Sequence, residues 1–95
     1  MKTRILALAS VIAAVLAAPV SAACYADYKA KRDAPYGLHY GVMELRGACD
    51  PSGAADEISA RLASDGWQLL TVVSVFDDAG LDAKRDSAGQ YFLRY

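Results

Sequence analysis

Residues 50–76, DPSGAADEISARLASDGWQLLTVVSVF, change their hydrophobic period midway, and that change decides the fold class. In the first half Ala55, Ile58 and Leu62 recur at helical spacing while Asp56, Glu57 and Arg61 fall elsewhere, the pattern of an amphipathic helix with a narrow apolar stripe. Asp50 or Ser52 suits the cap position, and Pro51 is compatible with a first turn, where its missing N–H costs nothing. Gly66 is placed to end the helix in a left-handed conformation, which folds Trp67 back onto Leu62. From Gln68 the period becomes two, with Leu69, Thr71, Val73 and Val75 on one face and Leu70, Val72, Ser74 and Phe76 on the other. This β-branched run predicts a strand, and its two apolar faces predict a central one. The helix would cover one face, and the chain ends or a partner molecule the other.

Upstream, residues 25–32 (YADYKAKR) set Ala26, Tyr28 and Ala30 against Tyr25, Asp27, Lys29 and Lys31, the alternation of a half-buried strand with a wet outer face. Residues 33–37 (DAPYG) carry turn chemistry, and residues 38–46 alternate again, so the two runs form a hairpin. Gly41 inside the second strand signals a bulge or a close approach by another element. Downstream, residues 77–88 form a polar loop with Asp77, Asp78, Asp82, Lys84, Arg85 and Asp86. In residues 90–95, Tyr91, Leu93 and Tyr95 alternate with Phe92 and Arg94 as a last strand. The expected order is β-β-α-β-β, an α+β domain with a small antiparallel sheet and one helix packed on it.

The first 22 residues have the three parts of a secretory signal. Lys2 and Arg4 form a basic start, residues 5–18 an apolar helix, and Val20-Ser21-Ala22 a small-residue cleavage site, with Pro19 ending the helix before it. Cleavage is expected after Ala22, with Ala23 as the neighbouring alternative. The competing readings are an uncleaved membrane anchor, which the uncharged run 5–23 is long enough to supply, and lipidation of Cys24. After cleavage the domain is residues 23–95, with no membrane segment and an exported, periplasmic or secreted location. It carries eight basic against eleven acidic side chains, a net charge of −3 that does not attract nucleic acid or anionic lipid.

A domain of this size draws only about 3 to 5 kcal/mol from a hydrophobic core, so a staple is expected. Cys24 and Cys49 are the two cysteines of an exported chain and permit one intramolecular pairing. In the chain-entropy picture that bridge stabilises the fold by about 3.5 kcal/mol. Neither cysteine has the spacing of a redox or zinc motif.

The segments AADEISARLASDGWQLLTVVSVF and QYFLRY resemble a family of small bacterial domains of unknown function that run strand, helix, Gly-Trp, strand, hairpin, and end in an aromatic-x-Arg strand. Leu62, Gly66, Trp67, Leu69, Val72, Phe92 and Arg94 carry the match. CYADYKAKR and LHYGVMEL depart from it as a longer, cysteine-bearing front hairpin. The resemblance implies the α+β fold and transfers no activity.

Candidate chemistry is sparse. His39 is the only histidine, so neither a histidine pair nor a His-based metal cluster can form. Asp77, Asp78, Asp82 and Asp86 lack the ligand order of a calcium loop, and no metal or cofactor is expected. Lys29, Lys31 and Arg32 are too few for phosphate-driven nucleic-acid binding. The suggestive feature is tyrosine: Tyr25, Tyr36, Tyr40, Tyr91 and Tyr95, with His39, are candidates for a recognition surface, though cross-strand packing accounts for the same residues. The leading expectation is a non-catalytic interaction module binding a protein or cell-envelope component, or forming a homodimer. Alternatives are a small secreted enzyme inhibitor presenting residues 33–37 or 49–53, a membrane-tethered domain, and an enzyme using His39, Tyr40 or the loop aspartates. The intact mass of the exported protein is expected to begin at Ala23 and to rise by two hydrogens on reduction; a mass retaining residues 1–22, or one unchanged by reductant, would contradict this reading.

Overall fold

The computed structural model describes residues 23–95. The signal-peptide reading and the anchor alternative lie outside the described residues. Strands β1 (Cys24–Asp33) and β2 (Tyr36–Leu45) form the expected antiparallel hairpin, in register from Cys24↔Leu45 to Asp33↔Tyr36 around the Ala34-Pro35 turn. Helix α1 (Pro51–Ala63) and strand β3 (Gln68–Phe76) follow, and β3 pairs antiparallel with β1. The sheet order is therefore β2-β1-β3. The fold is α+β, as expected, but β3 lies at an edge and β1 takes the centre.

The reason lies in β1's own side chains. Ala26 and Ala30 are buried with Tyr28, Met43, Ile58, Leu62 and Trp67 in one core. The opposite face of β1 is wet only toward the turn, where Lys29 is exposed. Elsewhere on that face Tyr25 is buried with Val42 and Ala88, and Asp27 is only 2 % exposed. A strand covered on both sides belongs in the middle.

Two bulges in β3 explain why its alternation misled. Asp27 pairs with Ser74 but Tyr28 with Val72, and Lys29 pairs with Thr71 but Ala30 with Leu69. Val73 and Leu70 are thus left without partners on β1, the two-against-one count of a β-bulge. Leu69, Val72 and Val75 then pack under the helix, a spacing of three rather than two, while Leu70 and Val73 are exposed.

Helix α1 begins and ends as its sequence directs. The Asp50 carboxylate accepts a hydrogen bond from Gly53 N at 2.7 Å, with Pro51 in the first turn. At the other end Trp67 N donates to Leu62 O and Gly66 N to Ala63 O, each at 3.1 Å, with Gly66 at φ 78°: this is the Schellman pair of bonds. The buried stripe is Ala54, Ile58 and Leu62, so Ala54 takes the place expected of Ala55. Glu57 and Arg61 clamp the helix to its surroundings. The Glu57 carboxylate accepts from Arg46 N and Gly47 N, and Arg61 donates to Glu57, to Glu44 O and to the main-chain oxygen of Tyr95. The disulfide between Cys24 and Cys49, with Cα atoms 6.0 Å apart, joins the start of β1 to the residue before the helix cap.

Residues 90–95 are not a strand. After β3 the chain makes short helical turns at Asp78–Gly80 and Asp82–Lys84, helix α2 (Arg85–Ala88), and a further turn at Gly89–Tyr91. It then touches β2 at a single parallel bridge, Val42↔Phe92, with Leu93 N donating to Val42 O at 2.8 Å. Gly89 and Leu93 both have positive φ, 55° and 56°, which breaks the extended run the alternation suggested. The segment instead wraps the edge of β2. Ala88, Leu81 and Phe92 pack on the outer face, whereas Tyr91 and Tyr95 arrive on the helix side.

Gly41 is the close-approach position its sequence context implied, because a Cβ there would lie 2.5 Å from the Tyr28 hydroxyl oxygen and 2.7 Å from Cζ of the same ring. Tyr28 is fully buried and has no room to withdraw. Gly41→Ala is expected to destabilise the domain by about 2 kcal/mol or more, the cost of overpacking, in a denaturant titration. An unchanged midpoint would show that the ring does not lie across this residue.

Candidate functional site

The side chains singled out by sequence fall into three places. The first is an aromatic group on the helix side of the sheet. His39, on β2, is 8 % exposed and stacks on Tyr91, with ring centroids 3.7 Å apart and planes 12° from parallel. Trp67 meets it edge-on at 4.3 Å, and Tyr28 shares a hydrogen bond with its Nε2 at 2.9 Å. Tyr95 completes the group and donates its hydroxyl to Asp65 at 2.5 Å. Arg32 lies over the Trp67 ring at 4.4 Å. Burial holds His39 well below the ordinary histidine range, at about 4, and the Arg32 and Arg94 cations push the same way. The imidazole is therefore neutral near pH 7. Its Nδ1 is buried and has no hydrogen-bond partner, and among the described residues no carboxylate reaches the ring.

The second place is a polar centre on the opposite face, which sequence reasoning missed. The Asp27 carboxylate accepts from the Ser74 hydroxyl at 2.6 Å, the Tyr40 hydroxyl at 2.7 Å and Lys84 Nζ at 3.1 Å. Burial opposes its ionisation, but the bonds from Ser74, Tyr40 and Lys84 outweigh that and hold its pKa below the usual carboxylate value. Tyr40 is correspondingly pushed up, by burial first and then by its bond to Asp27. Nearby, Tyr25 donates to Asp78 at 2.8 Å. A lone aspartate on an alternating strand gives no signal of this kind. The clue was Lys84, a cation 57 residues away that the polar-loop reading left in solvent.

The third place is the open half of that same outer face, toward the hairpin turn, which the C-terminal segment does not cover. Tyr36 is 71 % exposed, Leu38 61 % and Leu70 51 %. Together with Lys29 and Tyr40, Leu38 and Leu70 line an apolar depression of about 340 Å³.

The six candidate recognition residues are thus divided. Tyr25 and Tyr40 face the Asp27 side, His39, Tyr91 and Tyr95 face the helix side, and Tyr36 projects from the hairpin tip. The loop aspartates are likewise dispersed: Asp77 caps a turn through Ala79 N, Asp78 accepts from Tyr25, and Asp82 pairs with Arg85. His39, Tyr40 and these aspartates stand at separate places with separate partners. The loop at 49–53 is also committed internally, with Cys49 in the disulfide and Asp50 capping α1.

His39 links stability to pH. Its folded pKa lies below the unfolded value, so the unfolded chain binds the extra proton first and stability falls as pH falls. Its contribution is complete above about pH 6.5 and lost by about pH 4, a loss on the order of 2 to 3 kcal/mol. Asp27, depressed from the ordinary carboxylate value, acts only in the more acidic window. Urea titrations from pH 7 to 4 are expected to show the decline, and His39→Phe to flatten it. A wild-type midpoint independent of pH over this interval would contradict the burial of a neutral imidazole.

No protein-family model, curated protein or solved structure matches this chain.

Proposed function

We propose that this chain is an exported, non-catalytic binding module of the periplasm or cell envelope, engaging a protein or envelope component through the open half of its outer sheet face. The observation that carries the reading is the juxtaposition of Tyr36, Leu38 and Leu70, all more than half exposed, with the depression beside Tyr40. Exposed apolar side chains gathered on one face, rimmed by polar groups, mark interaction surfaces more often than scattered ones do. Tyrosine suits such a surface because it presents a broad ring and a polar tip.

The other polar groups support a binding role by being occupied elsewhere. Asp27, Tyr40, Ser74 and Lys84 satisfy one another, and Glu57 and Arg61 hold the helix. Export is supported by the tripartite leader in residues 1–22 and agrees with the disulfide, since such bonds persist in oxidising compartments. The Gly66-Trp67 resemblance to small bacterial domains of unknown function agrees with this scale and fold and adds no activity.

The test is positional. A photo-reactive side chain placed at Leu38 or Leu70 of the exported protein is expected to give a discrete adduct in cells, and the same group at Ser59, exposed on α1, is not. Absence of adducts at Leu38 and Leu70, or an identical pattern at Ser59, would overturn the assignment of this face.

A further inference from the structure

The binding reading above leaves the partner's chemistry open, and the charges on the same face narrow it. Lys29 and Lys31 occupy the outer face of the central strand. Lys29 lies between Tyr40 on β2 and Thr71 on β3, and Lys31 between Leu38 and Gln68. Both rows border the apolar depression lined by Lys29, Ala30, Leu38, His39, Tyr40 and Leu70. Among the described residues Lys29 has no carboxylate in ion-pair reach, and Lys31 has one, Asp33, at 3.4 Å with a side chain 77 % exposed. So exposed a pair contributes little and yields readily to a better partner.

The chain's other carboxylates do not serve this face. Asp27 is covered and bound to Lys84; Asp77, Asp78, Asp82 and Asp86 belong to the segment over the other half, and Glu44, on the same face of β2, lies opposite Tyr25 at the far end of the hairpin. Asp50, Asp56 and Glu57 belong to α1 and its cap, and Asp65 accepts from Tyr95. A domain with eight basic and eleven acidic side chains therefore presents a locally cationic, apolar surface here. Leu70 contributes because the bulge between Thr71 and Leu69 releases it from the inward-facing set.

We infer that this face recognises an acidic segment of a partner protein that carries one bulky apolar side chain between carboxylates. The apolar side chain fills the depression between Leu38, Tyr40 and Leu70, and the flanking carboxylates meet Lys29 and Lys31. Side chains of an extended peptide alternate between its two faces, so the carboxylates that share a face with the apolar residue stand two positions to either side of it, each about 6.6 Å away, within the swing of the flexible lysine side chains. Two outward rows across three strands, with a third row on β1 and β2 alone, span only about 10 by 13 Å, the footprint of a short segment rather than of a full protein interface.

The probe is a synthetic peptide of sequence Glu-Asp-Phe-Asp-Glu, titrated into the purified exported protein and followed by amide chemical shifts, with Lys-Lys-Phe-Lys-Lys as its charge-reversed control. Saturable shifts confined to residues around Lys29, Lys31, Leu38, Tyr40 and Leu70 are expected for the acidic peptide. Its affinity should exceed that of the control by about tenfold or more and weaken as salt rises. Lys29→Glu combined with Lys31→Glu should abolish the preference, and Leu70→Asp should weaken binding while leaving the remaining spectrum native. Equal binding of the basic peptide, shifts on another face, or no saturable shift would each overturn the inference. If the positional adducts at Leu38 and Leu70 form while the acidic peptide shows no preference, the partner chemistry is wrong and the binding reading stands; if neither is seen, both fall.

Discussion

The domain is built on a central strand whose first half is buried on both sides. β1 carries Ala26, Tyr28 and Ala30 toward the helix and Tyr25 and Asp27 toward the opposite face, and all five are buried. One helix can cover only one side of a three-stranded sheet, so the chain's last quarter must supply the second layer. The C-terminal segment does so with Leu81, Ala88 and Phe92, while running along the edge of β2 so that Tyr91 and Tyr95 reach the first core. Bonding of Leu93 to Val42 protects that edge, whereas β3 limits its own edge with two bulges.

A small domain needs more than apolar area to select one arrangement, and here the additional constraints converge on β1. The disulfide holds its first residue to the helix cap, and Asp27 collects three donors from three different segments. A buried carboxylate contributes little net stability, because desolvation offsets much of what its partners return. Its value is positional: leaving Asp27 without Lys84 or Tyr40 would strand a charge in the core, so the C-terminal segment is held in one register over the sheet. On the other face, Gly41 lets the Tyr28 ring lie across the β2 backbone, which brings its hydroxyl to His39.

Local signals in the sequence were read well where the physics is local. Helix α1 with its Asp50 cap, the Gly66–Trp67 ending, the hairpin, the close approach at Gly41 and the cysteine pairing all follow from a few neighbouring residues. The misreadings arose from long-range effects. β3 looked central because both its faces are apolar, yet bulges at Val73 and Leu70 reassign those side chains and expose two of them. QYFLRY looked like a strand because aromatic residues alternate, but they alternate between two cores on either side of the β2 edge. The candidate site was legible only in part: Tyr36 and Tyr40 stood among the candidate recognition residues, while Leu38 and Leu70 were not singled out and Lys29 and Lys31 were weighed only against nucleic acid. Asp27 was read as solvent-facing because its partners lie far away in the chain.

Amide hydrogen exchange across the sheet tests this arrangement most directly. A central β1 requires its amides to be bonded to β2 and β3 in turn, so they should exchange slowest and as one cooperative unit. Outward-pointing amides of β3 should exchange much faster than their inward neighbours. Uniform slow exchange along Gln68–Phe76, with alternate β1 amides open to solvent, would contradict the β2-β1-β3 order and return β3 to the centre of the sheet.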